Sequence, residues 1–243
     1  MFAAPNTRAR QFAIAALTVA LLVATQNSSW AAAPTPLKKG DRVVLLGDSI
    51  TAAGVRKTGF ITMMREVIDK KHADLKVQLI GAGISGHKVP DCQKRLQRDV
   101  INKKPTIVFI YIGINDVWHS LSKRGTSKEN FEKGLRRMIE RINEAGGRVI
   151  LCTPSVIGEK IGGVNKLDTM LDEYSDISRK VAKDTKSQLL DLRKLFVAHL
   201  AKENKEKNKP RGVLTSDGVH LNKHGNRFVA NRMLEALGVK IDE

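Results

Sequence analysis

Apolar positions along the chain follow two spacings. Short runs at Val43 to Leu46, Val77 to Ile80, Ile107 to Ile112, Val149 to Leu151 and Leu189 to Leu192 are rich in Val, Ile and Leu, with little polar alternation. Strands covered on both faces read this way, so the runs predict a parallel sheet. Between them lie stripes at helical spacing: Phe60, Met64, Val67 and Ile68, then Phe131, Leu135, Met138, Ile139 and Ile142. A third stripe runs from Leu167 through Leu171, Tyr174 and Ile177 to Val181, and a fourth joins Val229, Met233 and Leu237. Thr126 with Glu129 fits a capping box before the second stripe, and Gly238 fits a stop after the fourth. A weaker helix is expected over Asp91 to Val100. Strands alternating with helices in this way predict one three-layer, doubly wound α/β domain with a five-stranded parallel sheet.

The first thirty or so residues break the pattern. Arg8 and Arg10 precede an apolar run from Phe12 to Ala24, and small residues follow at Ser28, Ser29 and Ala31 to Ala33. That order is the order of a secretory signal peptide, and the apolar core is too short for a span of ~20 residues. The expected division is a leader over 1–33, cut near Ala31 to Ala33, and a single domain over 34–243. The product would be secreted or periplasmic, with no integral membrane association once the leader is gone. About 210 residues remain, enough to bury a sizeable core. Two cysteines, Cys92 and Cys152, are too few for a disulfide framework and read as separate thiols.

Charge adds a further constraint. The formal net charge is +17, and +15 without Arg8 and Arg10. Such a field favours anionic partners. Nucleic acid is not expected, because aromatics are only 5% and no nucleic-acid-binding motif is present. The densest run, Lys202 to Arg211, mixes both signs and reads as a solvated helix end.

The candidate chemistry sits where the predicted strands stop. Gly47-Asp48-Ser49-Ile50-Thr51 follows the first strand, Gly81-Ala82-Gly83-Ile84-Ser85-Gly86-His87 the second, and Gly113-Ile114-Asn115-Asp116 the third. Ser216-Asp217-Gly218-Val219-His220 precedes the last helix. In doubly wound sheets ligands bind beyond the carboxyl ends of the strands, so all four clusters fall where a site should be. A serine there becomes a nucleophile only if a base takes its proton. Asp217 and His220, three residues apart, can supply an imidazole and the carboxylate that holds its tautomer. Acyl transfer also needs donors aimed at the oxyanion, each worth ~3 kcal/mol. Ser49 can offer its backbone N–H, Gly86 another and Asn115 a side-chain N–H. Each residue also has a bland reading: a turn serine, a capping histidine, an Asx turn, a loop glycine.

These clusters resemble the four blocks of the SGNH, or GDSL-like, hydrolases, whose hallmark Ser, Gly, Asn and His fall in the order Ser49, Gly86, Asn115, His220. GDSI, GIND and DGVH are close matches; GAGISG departs, since such blocks usually open with Asn where Gly81 stands. The departure leaves open whether Gly83 or Gly86 is the donor, and Gly86 aligns with the block's last glycine. The resemblance implies a flavodoxin-like α/β/α fold, a Ser49–His220–Asp217 triad, hydrolysis through an acyl-enzyme, and neither metal nor organic cofactor. Asp48, His87 and Trp118 are the candidate substrate-binding neighbours, with Asp48 equally readable as a brace for the nucleophile turn.

The expected function is therefore a serine esterase acting on a small-molecule or polysaccharide ester. O-acetyl or other short acyl groups on carbohydrate, with an anionic polysaccharide suited to the charge, lead the choice. Lipase, lysophospholipase or thioesterase activity stands second. A non-catalytic polysaccharide-binding module is the alternative of another class. Oligomeric state is not legible.

Overall fold

The Val, Ile and Leu runs become strands because residues without polar alternation are stable only where both faces are covered. A computed structural model describes Met1 and residues 35–241, so the expected leader, Met1 apart, lies outside the described residues. Strands β1 (Arg42–Gly47), β2 (Gln78–Gly83), β3 (Ile107–Tyr111), β4 (Arg148–Cys152) and β5 (Gln188–Leu190) form one all-parallel sheet in the order β2-β1-β3-β4-β5. Every residue of β3 is buried, as are Val43 to Leu46 of β1.

The helices are α1 (Ser49–Gly54), α2 (Phe60–Lys71), α3 (Val89–Asp99), α4 (Ile114–Trp118), α5 (Lys128–Glu144), α6 (Asp168–Asp184), α7 (Leu192–Glu203) and α8 (Lys223–Ala236). One layer contains α2 packed on α8, with Phe196 of α7 edge-on to Phe228 of α8 at 5.2 Å. The other is the row α3, α5, α6. The expected three-layer fold with five parallel strands is the observed one. Because β2 and β3 lie on opposite sides of β1, the strand order switches direction there. Ligands bind at such switch points in this architecture.

Two local expectations need correction. The cap of α5 is Ser127, whose Oγ accepts from the Asn130 N–H at 3.3 Å; Thr126, one residue earlier, is buried, and its carbonyl accepts from the Tyr174 hydroxyl. Placing a fifth strand as far as Leu192 also overran its end. The strand stops at Leu190, and Asp191 caps α7, accepting from the Lys194 N–H at 3.1 Å. Cys92 and Cys152 are both buried and unpaired. No described helix is long and apolar enough to cross a membrane.

Candidate active site

Ser49 stands at the first position of α1, two residues beyond Gly47, the last residue of β1. The turn is tight because Asp48 caps the helix, its Oδ1 accepting from the Ile50 N–H at 2.9 Å. Asp48 is buried at 2% exposure, beneath the crevice floor, which makes it a brace for the turn. Burial pushes its carboxyl up to about 7, and the nearby Asp116 charge acts the same way. Asp116 is itself fully buried, accepts from the Val89 N–H at 3.1 Å and is pushed up to about 6, again by burial.

The neighbouring strand ends close the floor. A Cβ on Gly83 would lie 2.1 Å from the Ala52 nitrogen and 2.5 Å from the Thr51 carbonyl carbon, so β2 approaches α1 as only glycine permits. Gly86 is the opposite case, at φ +76° with open space around its missing Cβ. Gly83 is thus a packing position, while Gly86 is exposed and unobstructed. The N–H groups of Ser49 and Gly86 have no protein acceptor among the described residues. Asn115 in α4 donates one Nδ2 hydrogen to the His87 carbonyl at 3.1 Å, which ties the third strand end to the Gly86 loop.

Opposite Ser49 stands His220, the expected base. Ser49 Oγ and His220 Nε2 are 2.9 Å apart, and His220 Nδ1 lies 2.7 Å from Asp217 Oδ2. The other carboxylate oxygen, Oδ1, accepts from the backbone N–H groups of Val219 and His220 at 2.9 and 2.8 Å. Partial burial raises the Asp217 pKa, but these bonds, led by the imidazole, outweigh it and hold the carboxyl below its usual range. The three side chains that the sequence separates by up to 171 positions therefore meet in hydrogen-bonding contact.

The remaining candidates divide. His87 Nδ1 accepts from Arg95 Nε at 3.1 Å, and burial followed by the Arg95 charge lowers its pKa, which favours the neutral ring. Trp118 stands edge-on to the His220 ring at 6.4 Å and lines a groove of about 380 Å³ that runs past Asp217 and Gly218 to Ile157, Lys160 and Lys166. Arg95 was not legible as a site residue. It is buried, and donates through Nη1 to the Ala82 carbonyl (2.8 Å) and through Nη2 to the Gly47 carbonyl (2.7 Å), so one guanidinium ties β1, β2 and the Gly86 loop together. Among the described residues, no group of three His, Cys, Asp or Glu side chains could hold a metal ion.

Comparison with known proteins now assigns the family. The profile of the GDSL-like Lipase/Acylhydrolase family matches residues 45–228. The chain belongs to that family. This hydrolase is 27% identical to an acetylxylan esterase of Geobacillus stearothermophilus over 218 residues, which is 82% of this chain and 94% of the relative. Its fold matches the crystal structure of an acetyl xylan esterase, AlAXEase, with a TM-score of 0.79 and 47% identity, covering 81% of this chain and 99% of that one. It also matches Axe2, an acetylxylan esterase from Geobacillus stearothermophilus, with a TM-score of 0.76 and 26% identity over 85% of this chain and 98% of that one. Axe2 has been solved as catalytic mutants in which a serine, a histidine and an aspartate are each replaced by alanine.

Proposed function

We propose that this GDSL-like hydrolase is a secreted serine esterase that removes acetyl or other short acyl groups from carbohydrate, with an acetylated, anionic polysaccharide as the favoured substrate class. The observation that carries the reading is the unbroken line of contacts from Ser49 Oγ through the His220 ring to Asp217, at 2.9 and 2.7 Å. The similarity to acetylxylan esterases over nearly their whole length supports a sugar ester. The leader-like order of residues 1–33 supports secretion, and the net charge of +17 supports an anionic polymer.

In this reading His220 Nε2 accepts the Ser49 hydroxyl proton as Oγ attacks the ester carbonyl. The oxyanion that forms meets the Ser49 and Gly86 N–H groups and the second Nδ2 hydrogen of Asn115. Collapse expels the sugar oxygen, which takes the proton from His220, and leaves an acyl-serine. Water then attacks the acyl carbon, giving its proton to His220, and release of the acid returns that proton to Ser49. Asp217 stays ionised throughout and steadies the imidazolium.

Acid release is to be followed on acetylated xylo-oligosaccharides and on nitrophenyl esters of increasing chain length. The expected result is turnover confined to short acyl groups, and a loss on the order of 10⁴-fold or more in Ser49→Ala. A preference for long acyl chains would replace the reading with a lipase. No turnover and no labelling by a fluorophosphonate would leave only a binding module.

A further inference from the structure

The base loop poses a physical problem. His220 and Asp217 belong to no helix or strand; a single bridge, Thr215 to Leu221, is the one ladder element between α7 and α8. Yet a proton transfer from Ser49 demands that His220 be held to a fraction of an ångström. The loop therefore needs an anchor that is neither sheet nor helix.

Glu159 occupies that place. Its side chain is wholly buried and joins no ion pair among the described residues. Instead the base loop wraps it. Oε2 accepts from the Val213 N–H at 2.7 Å, and Oε1 accepts from the Leu214 N–H at 2.7 Å, the Thr215 N–H at 2.5 Å and the Thr215 hydroxyl at 2.7 Å. Three consecutive amides converge on one carboxylate as a nest, and together with the Thr215 hydroxyl they tie this stretch of backbone to Glu159. The Thr215 hydroxyl, its proton given to Glu159, accepts in turn from the Gly218 N–H at 3.1 Å, inside the Asp217–His220 turn. The main chain beside Glu159 repeats the tie: the Gly158 N–H donates to the Gly218 carbonyl at 2.8 Å, and the Glu159 N–H to the Pro210 carbonyl at 3.0 Å.

We infer that Glu159 is a positioning residue: its buried carboxylate, through Thr215 and Gly218, sets where His220 stands relative to Ser49. It touches neither substrate nor the reacting atoms. The inference rests on the proposed triad, and the test separates the two.

Glu159→Gln keeps the shape but turns an NH₂ group towards amides that can only donate. Steady-state kinetics on a short nitrophenyl ester should show kcat down by about 10²-fold with KM within threefold, the signature of a displaced base rather than a lost binding contact. The same substitution placed in His220→Ala, assayed with added imidazole as a diffusible base, should cost nothing further, because the residue it positions is gone. Equal losses in both backgrounds would make Glu159 a general support of the fold and overturn the inference, as would a single variant within threefold of wild type. If Glu159→Gln does not fold, Thr215 decides. Thr215→Val should lose about tenfold in kcat and Thr215→Ser should restore it; Thr215→Val within twofold of wild type would overturn the inference. Activity retained in His220→Ala without imidazole would instead remove the triad itself.

Discussion

The two halves of the site are held by different physics. Ser49 comes off the sheet: β1 delivers it, Asp48 caps its turn from below, Gly83 lets β2 close against α1, and Arg95 clasps the carbonyls of Gly47 and Ala82. Close packing in a dry core leaves that side few alternatives. His220 and Asp217 come off an irregular loop, with side chains 37% and 45% exposed, and are held by hydrogen bonds that converge on one buried carboxylate. A proposed nucleophile built into a core and a proposed base wired by polar contacts fail differently. Substitutions on the first side should cost stability, and those on the second should cost rate.

The largest expected effect tests the packed side. Gly83→Ala places a methyl against the α1 backbone, which cannot move as a side chain would. Overpacking of this kind costs ~3 kcal/mol, or a fall of about 6–12 °C in Tm for a domain of this size. Gly86→Ala meets open space and strains only a φ of +76°, a cost of ~1 kcal/mol. Thermal unfolding of the pair sharpens the comparison. Equal shifts would mean that β2 is not the wall of the nucleophile side.

The next effect is a difference in sign with pH. Burial lifts the Asp48 carboxyl to about 7 in the folded protein against 3.8 unfolded, so between those values the folded state holds a proton that the unfolded chain has released. Stability from this group is full below pH 4 and falls as pH rises to 7, by about 2 kcal/mol across pH 5 to 7.5. Asp217 runs the other way, because its lowered pKa contributes stability above the unfolded value that is lost as acid protonates it. Asp48→Asn keeps an oxygen for the Ile50 N–H. It should flatten urea-unfolding free energies between pH 5 and 7.5, leaving the smaller slope of Asp116, which ends near pH 6. Parallel pH curves for variant and wild type would show that the nucleophile side is wetter than its packing implies.

The same contrast explains what the sequence reveals. Strand runs and the motif at each strand end are local: GDSI, GIND and DGVH carry their chemistry within a few residues, and parallel topology fixes where they gather. Both the fold and the meeting of Ser49, His220 and Asp217 in hydrogen-bonding contact were legible for that reason. Arg95 and Glu159 were not. Arg95 meets Gly47 across 48 positions, and Glu159 meets Val213 to Thr215 across 54 to 56. In sequence one is a charge within a weak amphipathic helix, and the other a loop glutamate flanked by glycine and lysine. Thr126 failed as a cap for a related reason: the Tyr174 hydroxyl claims its carbonyl from another helix, and the first turn begins one residue on. Tertiary partners overrule local pattern at these three buried polar positions, Arg95, Glu159 and Thr126.

The smallest expected effect lies on the loop side, where the leaving sugar would depart past His220. Lys160 and Lys166 are exposed on the groove beyond Asp217, and neither pairs with a carboxylate among the described residues. Both stand on the segment that carries Glu159, so the loop that positions the base also presents the charge. Exposed charges of this kind act weakly and are screened within about 10 Å at 0.1 M salt. The double reversal Lys160→Glu with Lys166→Glu should lower kcat/KM on an acidic acetylated polysaccharide by about three- to tenfold at low salt, and raising the salt should erase most of the difference. Turnover of a neutral nitrophenyl acetate should stay within twofold, since that ester carries no charge for the lysines to attract. A loss shared equally by both substrates would mean that the charges disturb the loop itself. No loss on either would leave the anionic substrate without support while sparing the triad.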